Sequence, residues 1–402
     1  MSTGNDASEK NALLSFNVKD FGAAGNNQND DTSAIQAAVQ AAIKEKGGRI
    51  HFPSGHYRLT HAIQVTSADR IDITGDGFST VLHYRADEPA VLWNETSSCR
   101  ESSIRDLCLT ASGANKSPST PAIALRGGSE RSLFSNLLLN SDSARMGSGI
   151  EVLKVMDTTT LDNCQFWGVS GTGIKVAQGS EVRIIGGRVI GRDRYSDKSI
   201  GIHLTGNNGG VHVVTTDIIA LETAMKIGEA GGPSNREIFI THATFDSSIH
   251  GLVQIDHSYT SIAGCWAASS DEEQILVDST ATGAIVSISG GTIFNGGAYG
   301  KPGGHHGLVV RAGSFMLNGV TVRHNQGTGI LVEGAGVKDY AITGCRIADN
   351  GTGAVLKGNC YTFTGNVLTR NTSNLIDKGG PVKSLTGNVL HPPSASGAVH
   401  IE

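Results

Sequence analysis

Two acidic residues, Asp193 and Glu222, occupy the same position in neighbouring segments of the chain and have the chemistry of a catalytic pair. Two carboxyl groups about 5–5.5 Å apart are typical of a retaining glycosidase. Their mutual repulsion raises one pKa and keeps an acid available at neutral pH. We therefore predict a hydrolytic site at Asp193 and Glu222, with Asp217 or Asp246 as alternate partner. The alternative is a pair of ordinary surface carboxylates neutralised by nearby arginines.

A second polar group shares one outward position of a recurring short strand. Four consecutive repeats place Glu151, Lys175, His203 and Lys226 there, and later repeats place Val253, Leu276, Val309 and Leu331 there. Lysines can hold the carboxylate of an acidic sugar, and His203 can abstract a proton as a base. With Arg188 as a further cation, this set would serve a polysaccharide lyase. The alternative is a solvated strand face with a Glu–Lys pair.

Aromatic residues supply candidate contacts to a sugar ring. Tyr299 lies in the longest glycine-rich loop, where a ring face and a hydroxyl would both be available. Trp266 aligns with outward positions, although burial against a loop is the competing interpretation. The candidate substrate-binding residues are Glu151, Lys175, Lys226, Arg188, Tyr299 and Trp266. Adjacent His305 and His306 make a poor metal site, and we predict no metal or cofactor.

A repeat must position these residues, because a Gly-hydrophobic-x-hydrophobic strand recurs through most of the chain. Its starts at Gly149, Gly173 and Gly201 are 24 (173−149) and 28 (201−173) residues apart. A period in the twenties without a helical pattern indicates a solenoid of strands. Between these strands lie two further β-rich runs, broken by small-residue corners such as Gly186-Gly187. The pattern predicts an all-β parallel β-helix with three strands per coil.

One helix precedes the repeat. The segment 29–43 is rich in alanine, Ser33 and Gln36 have capping-box spacing, and Gly47-Gly48 ends it. An amphipathic helix at this place would cap the first open coil. The predicted divisions are a flexible arm at 1–16, a cap segment at 17–48, a parallel β-helix at 49–390 and an irregular tail at 391–402.

Three insertions interrupt the rhythm, each just before the first strand of the next coil. They are Ala111–Pro121, Arg192–Ile200 and Asn295–His306. They should project from one edge of the solenoid, where loops on a rigid scaffold build a binding groove.

Composition narrows the function classes. The net charge is −5, and no basic run alternates with aromatic residues, so we predict no nucleic-acid partner. No apolar stretch approaches the roughly 18 residues of a membrane span, and the polar start lacks the core of a signal peptide.

Cys164, Cys265 and Cys345 recur at one repeat position and should be buried, reduced thiols. Asn325, Asn350 and Asn371 should form a structural stack of amides.

The N-terminal stretch carries a family resemblance. Its parts are Asn17-Val18-Lys19-Asp20-Phe21-Gly22, Asn29-Asp30-Asp31-Thr32 and Gly47-Gly48-Arg49-Ile50-His51-Phe52-Pro53. The stretch resembles the opening of pectate-lyase-like right-handed β-helix proteins, especially phage tailspikes and polysaccharide depolymerases. The resemblance implies a right-handed coil, a polysaccharide substrate, an extracellular or virion-associated location and assembly as a homotrimer.

Together these features predict an enzyme that cleaves internal glycosidic bonds of an extended, acidic or complex glycan bound along the coils. Hydrolysis is favoured, because carboxylates outnumber well-placed bases on the edge that bears the loops. Elimination by a lyase, with His203, Lys175, Lys226 and Arg188, is the alternative. A non-catalytic, tailspike-like protein that binds glycan is the other alternative.

Overall fold

The computed structural model describes residues 14–66, 69–85, 87–112, 118–141, 146–391 and 400–401. Within these residues the chain folds into an all-β, parallel, right-handed solenoid of about 14 turns. The described helices are one α-helix, Thr32–Lys44, and two short 3-10 helices, Val18–Phe21 and Gly77–Ser79. None of them is long and apolar enough to cross a membrane.

The strands stack coil on coil in parallel pairings, which we group into ladders A, B and C. Ladder A contains the Gly-hydrophobic-x-hydrophobic strands and carries the candidate site. Its members are Ile63–Val65, Val91–Trp93, Pro121–Leu125, Ser148–Val152, Thr172–Ala177, Ile200–Gly206, Thr223–Ile227, His250–Gln254, Glu273–Val277, His306–Asn318, Thr328–Thr343, Thr352–Leu356, Ser373–Asp377 and His400–Ile401.

Ladders B and C form the other faces of the solenoid, and several long strands run from one ladder into the next. Ladder B consists of Ser15–Asn17, Gly48–Phe52, Ile71–Gly75, Ser103–Ser112, Ser132–Ser141, Thr159–Asp162, Val182–Ile185, Val211–Val214, Glu237–Thr241, Tyr259–Ala263, Ile285–Ser289, the distal parts of His306–Asn318 and Thr328–Thr343, Cys360–Thr364 and Val382–Ser384. Ladder C consists of Asn26–Asp30, Gly55–Arg58, Thr80–Arg85, the distal parts of Ser103–Ser112 and Ser132–Ser141, Gln165–Val169, Arg188–Gly191, Asp217–Ile219, Thr244–Asp246, Trp266–Ala268, Thr292–Phe294, Thr321–Arg323, Arg346–Ala348, Val367–Thr369 and Val389–Leu390. A separate short pair joins Cys99–Arg100 to Ser129–Glu130.

Close packing between coils explains the glycine at the second position of many ladder A strands. A Cβ atom on Gly149 would lie 2.3 Å from the carbonyl oxygen of Gly173, and one on Gly201 would lie 2.4 Å from that of Ala224. Side chains therefore cannot be accommodated at these positions without moving the next coil. The alternating residues that follow, such as Ile150 and Val152, point into a continuous apolar core.

The helix ties the N-terminal residues to the first coils. Ile35, Ala38, Val39 and Ala42 are buried in the core, as an amphipathic helix requires. The capping-box prediction is wrong: the N-cap residue is Asp31, and Gln36 instead bonds the backbone of Gln64 at 2.8 and 2.9 Å. The carboxylate of Asp31 makes no capping bond, because it accepts the N–H groups of nearby loop and strand residues.

Two interior predictions are confirmed. Cys164, Cys265 and Cys345 are all buried. The amide of Asn325 donates to Asn350 at 2.9 Å, and that of Asn350 donates to Asn371 at 3.0 Å. This stack satisfies polar groups that the coil corners bury.

The predicted domain boundaries remain predictions. The arm up to residue 13 and the tail residues 392–399 and 402 lie outside the described residues, as do residues 113–117 of the first insertion. The strand Ser15–Asn17 crosses the predicted boundary between arm and cap segment, and Asn26–Asp30 lies within the cap segment. They pair with Gly48–Phe52 and Gly55–Arg58.

Candidate active site

The outward stack predicted on ladder A is present in the expected register. Glu151 lies opposite Lys175, Lys175 opposite His203, and His203 opposite Lys226. The same column continues through Val253, Leu276, Val309 and Leu331. A polar stretch about four coils long therefore gives way to an apolar one on the same face.

His203 is the most constrained member of this stack. Its Nε2 atom lies 3.1 Å from the carbonyl oxygen of Gly228 and 3.1 Å from Oε2 of Glu229. Both partners are acceptors, so the tautomer with its proton on Nε2 satisfies them and leaves Nδ1 as the basic nitrogen. Only 6% of the residue is exposed, and burial lowers the pKa of His203 below its ordinary value of 6.5. The imidazole is therefore neutral at pH 7.

Charged neighbours alternate along the stack. Nζ of Lys175 lies 3.3 Å from Oε1 of Glu151, whose other oxygen lies 3.4 Å from Nε of Arg126. Nζ of Lys226 lies 3.8 Å from Oε1 of Glu229. Both lysines keep part of their surface exposed, at 40% and 25% of their side chains. Two ammonium groups thus flank a neutral imidazole within reach of solvent.

A groove runs over this stack. One cleft of about 170 Å³ is lined by Glu151, Lys175, His203 and Glu229 together with Ser119 and Thr172. A neighbouring cleft of about 440 Å³ shares Ser119, Ser148 and Thr172, and the loop residues Ser196, Asp197 and Lys198 form its other side. The first two predicted insertions therefore contribute walls to the groove, through their described residues.

Side-chain hydrogen bonds fix the edge where the two clefts meet. The hydroxyl of Ser148 donates to the carbonyl oxygen of Pro118 at 2.7 Å and accepts from the N–H of Thr172 at 2.9 Å. Nε of Arg192 lies 3.0 Å from Oδ2 of Asp197, which braces the opposite loop. The groove is thus built on strands and on loops with defined anchors.

The carboxylates Asp193 and Glu222 do not face one another in the strand register. Ile200 lies opposite Thr223, and the N–H of Glu222 donates to Oγ of Ser199 at 3.2 Å. Ser199 therefore takes the place expected for Asp193, because the intervening loop residues lie outside the ladder. Asp193 accepts the N–H groups of Tyr195 and Ser196 at 3.1 and 3.3 Å. Hydrogen bonding from Ser196 and its neighbours holds the pKa of Asp193 below 3.8, as suits a turn-stabilising anion.

The remaining candidates on ladder C belong to a different face. Arg188 and Asp217 lie opposite one another, as predicted, with 3.1 Å between Nη2 and Oδ2. Asp246 accepts the hydroxyl of Ser247 at 2.9 Å. Trp266 points outward with 39% of its surface exposed, and its ring centroid is 4.5 Å from that of Phe294. None of these four residues lines the groove over ladder A.

Tyr299 belongs to a clamp between two loops. The guanidinium carbon of Arg194 lies 4.2 Å from the ring centroid of Tyr299 and 4.8 Å from that of Tyr195. Arg194 also donates to the carbonyl oxygen of Ser247, and the Tyr195 hydroxyl donates to Asp271 at 3.0 Å. Both tyrosines are half exposed, so the clamp presents aromatic surface beside the groove.

Sequence reasoning missed Glu229 and the Arg194 clamp. Glu229 follows Gly228 in the glycine-rich turn 228–232, outside the periodic strands. Arg194 lies within an insertion, where only three-dimensional contacts show its partners. Within the described residues, no group of three or more histidine, cysteine, aspartate or glutamate side chains is arranged to hold a metal ion.

Comparison with known families gives two overlapping matches. The family model described as Rhamnogalacturonase A/epimerase, pectate lyase-like, matches residues 15–266. The model described as Right handed beta helix region matches residues 229–388.

Curated relatives match over short segments. Alginate lyase 7 of Azotobacter vinelandii is 55% identical over 47 residues, which are 12% of this chain and 6% of that protein. Mannuronan C5-epimerase AlgE2 of the same organism is 51% identical over 74 residues, which are 17% of this chain and 7% of that protein. The matched segments thus span only a small part of these relatives.

Solved structures resemble the chain over most of its length. Gene product 12 of bacteriophage phi29 has a TM-score of 0.64 and 12% identity, covering 89% of this chain and 56% of that one. The family 28 exopolygalacturonase of Yersinia enterocolitica has a TM-score of 0.59 and 12% identity, covering 93% and 78%. The A-module of mannuronan C-5 epimerase AlgE6 of Azotobacter vinelandii has a TM-score of 0.52 and 16% identity, covering 94% and 100%. At these identities the likeness shows the fold alone.

Proposed function

We propose that this chain, which belongs to the rhamnogalacturonase A/epimerase, pectate lyase-like family, acts on uronate residues of an extended polysaccharide by abstracting the proton beside the carboxylate. The observation that carries the proposal is the ladder A stack, in which neutral His203 lies between Lys175 and Lys226. The names of the matched relatives, an alginate lyase and a mannuronan C5-epimerase, fit this chemistry.

The two lysines would bind and polarise the substrate carboxylate. A positive charge on each side stabilises the negative charge that develops on the carboxylate when the adjacent carbon loses its proton. Both lysines are partly exposed, so an incoming uronate can displace their contacts with Glu151 and Glu229. In the structure these two carboxylates pair with the lysines.

His203 would act as the base through Nδ1. The hydrogen bonds at Nε2 fix the ring, and the lowered pKa keeps Nδ1 unprotonated at neutral pH. The C–H electron pair forms the new carbon–carbon double bond as the glycosidic oxygen at the neighbouring carbon leaves. Return of the proton from His203 to that oxygen restores the neutral imidazole. Donation of a proton from solvent to the opposite face of the sugar, without bond cleavage, would give epimerisation, and His203 would then release its own proton to solvent.

Hydrolysis by Asp193 and Glu222 is the second candidate and remains a prediction. It is less well supported, because Asp193 stabilises a turn and Glu222 lies opposite Ser199. A non-catalytic, glycan-binding role is the third candidate, supported by the fold-level likeness to a phage protein.

Several features of the assembly are part of the same proposal. We place three strands in each complete coil and assign the helix Thr32–Lys44 as the cap of the first coils, supported by the contact between Gln36 and Gln64. An extracellular or virion-associated location and a homotrimer are proposed from the family resemblance. In a trimer, the groove would have to remain accessible to a polymeric substrate.

Product analysis on a polysaccharide panel tests this function. Alginate, polygalacturonate and a neutral β-glucan would be incubated with the full chain and followed by absorbance at 235 nm, reducing-end assay and proton NMR. Elimination predicts new absorbance together with new reducing ends on an acidic polymer. Epimerisation predicts changed anomeric signals without new reducing ends. This result would also support proton abstraction beside the carboxylate. New ends without absorbance would favour hydrolysis, and an unchanged acidic panel would contradict the proposal.

A further inference from the structure

Lys198 is an exposed lysine on the wall of the larger cleft beside the ladder A stack. Its ammonium group makes no ion pair or hydrogen bond with the described residues, whereas Lys175 and Lys226 both pair with carboxylates of the groove. The preceding residue, Asp197, already pairs with Arg192, with 3.0 Å between Oδ2 and Nε. Lys198 is therefore a cation that the fold leaves to solvent or to a ligand.

The backbone on both sides of Lys198 is held in place. Asp197 is only 8% exposed, and its N–H donates to the carbonyl oxygen of Asp193 at 2.9 Å. Ser199 is fully buried, and its hydroxyl oxygen accepts the N–H of Glu222 at 3.2 Å. Lys198 lies between these two buried residues and lines the cleft. The loop therefore presents the ammonium group to a ligand without a rearrangement of its backbone.

The cleft beside Lys198 adjoins the cleft that contains His203. Three residues line both clefts, namely Ser119, Ser148 and Thr172. The ladder A strand Ile200–Gly206 carries His203, and Lys198 lies just before this strand. The hydroxyl group of Thr172 has no hydrogen-bond partner among the described residues, so it can bond a ligand that passes from one cleft to the other. A ligand longer than one sugar residue can therefore contact both clefts.

We propose that Lys198 binds the carboxylate of the uronate next to the one that reacts, so that this chain prefers polymers with consecutive uronates. In a linear polyuronate each residue is rotated relative to the one before it, so neighbouring carboxylates project in different directions. One carboxylate can then meet Lys175 and Lys226 while its neighbour reaches the side cleft. A neutral sugar in the second position would lack the charge-assisted hydrogen bond to Lys198. This role rests on the function proposed above, which places the reacting uronate over His203.

Affinity electrophoresis of the full chain tests this role without requiring turnover. The gels contain polygalacturonate or alginate, or the same polymers after partial reduction of their carboxylates to alcohols. Lys198→Gln should weaken retardation by the unreduced polymer roughly tenfold, because it removes one charge-assisted contact. Lys198→Arg keeps the charge and should stay close to the wild type. Partial reduction should weaken retardation more steeply in the wild type than in Lys198→Gln, because only the wild type uses the second carboxylate.

Lys357→Gln is the matched control, because it removes the same charge from an exposed lysine that follows the distant ladder A strand Thr352–Leu356. It should migrate as the wild type does, and circular dichroism melting should show that every variant is folded. Equal retardation of Lys198→Gln and Lys357→Gln would overturn the role of Lys198. An equal effect of reduction on the wild type and Lys198→Gln, or no retardation by either unreduced polymer, would also overturn it. Retardation that depends on Lys198, without any product from these polymers, would instead overturn proton abstraction and support the binding role.

Discussion

Nε2 of His203 lies 3.1 Å from Oε2 of Glu229, and the two residues meet across the wall of the ladder A groove. The contact places a carboxylate against the ring nitrogen opposite the one proposed as the base. It therefore orients the base and adjusts its proton affinity without contacting the reacting carbon.

Glu229→Gln should move the acidic limb of the pH–activity profile to lower pH. Burial is the main effect on the pKa of His203 and lowers it, whereas the charge of Glu229 raises it. Removing that charge lowers the pKa further, so His203 becomes unprotonated, and thus active as a base, at lower pH. The measurement is kcat/KM against pH on the substrate found in the panel. Glu237→Gln on ladder B is the control and should leave the limb in place, while a shift to higher pH in Glu229→Gln would contradict the assigned role.

Arg194→Ala should loosen the two loops beside the groove. The guanidinium packs on Tyr195 and Tyr299 and is only 10% exposed, so its loss removes the contacts that join the loops. We expect limited proteolysis within the glycine-rich segment 296–304 to become roughly tenfold faster, since cleavage follows the population of the open loop. Arg370→Ala, which removes an exposed ion pair with Asp349, is the control. Equal proteolysis of the two variants would show that Arg194 does not hold the loops together.

Much of the architecture could be predicted from the repeat. Once Gly149, Gly173 and Gly201 are aligned, the alternation of strands fixes which side chains share a column, and the structure confirms the order from Glu151 to Lys226. This prediction needs only the alternation of residues within each strand. It holds over many coils because stacked parallel strands keep their register.

Alignment through loops was less informative. The repeat aligns Asp193 with Glu222, but the residues between Arg192 and Ser199 leave the ladder, and Ser199 takes the matching place. Glu229 had no periodic signal, because it lies in a turn whose path depends on the packing of the next coil. The sequence therefore predicted the strand-borne part of the site and missed its turn-borne part.

Asn350→Ala should destabilise the solenoid strongly. Its side chain accepts from the backbone and the amide of Asn325 and donates to Asn371 and to the carbonyl oxygen of Val322. Deletion leaves these buried groups unpaired, at a cost of about 2–4 kcal/mol. Asn318→Ala, at an exposed position of ladder B, should change stability by less than about 0.5 kcal/mol. Denaturant midpoints would test this difference, and coincident midpoints would contradict it.

Asp72→Asn should reduce stability at pH 7 and have less effect in acid. Burial alone would raise the pKa of Asp72, but hydrogen bonds from Arg105, Ser103 and Arg49 outweigh it and hold the pKa below 3.8. A depressed folded-state pKa stabilises the fold above the unfolded value and loses that contribution as the pH falls through the folded value. We expect Asp72→Asn to lower the free energy of unfolding by about 1–3 kcal/mol at pH 7. This difference from the wild type should become smaller below pH 3.8.

Thermal melting of the wild type and of Asp72→Asn, each at pH 7 and at pH 3, provides the measurement. Asp69→Asn is the control, because its 3.7 Å contact with Arg100 is exposed and should contribute little. A difference between the wild type and Asp72→Asn that stays constant from pH 7 to pH 3 would rule out this linkage.

The most direct test of the proton-abstraction claim compares His203→Ala with Asp193→Asn on the acidic polysaccharide that gives the largest signal. Initial rates at 235 nm, or by NMR for epimerisation, would be measured on variants whose melting shows an intact fold. We predict that His203→Ala lowers kcat by roughly 10²–10⁴-fold, as the loss of a general base does, and that Asp193→Asn stays within a few-fold of the wild type. Retained activity in His203→Ala together with abolished activity in Asp193→Asn would contradict the account and move the catalytic site to the carboxylates.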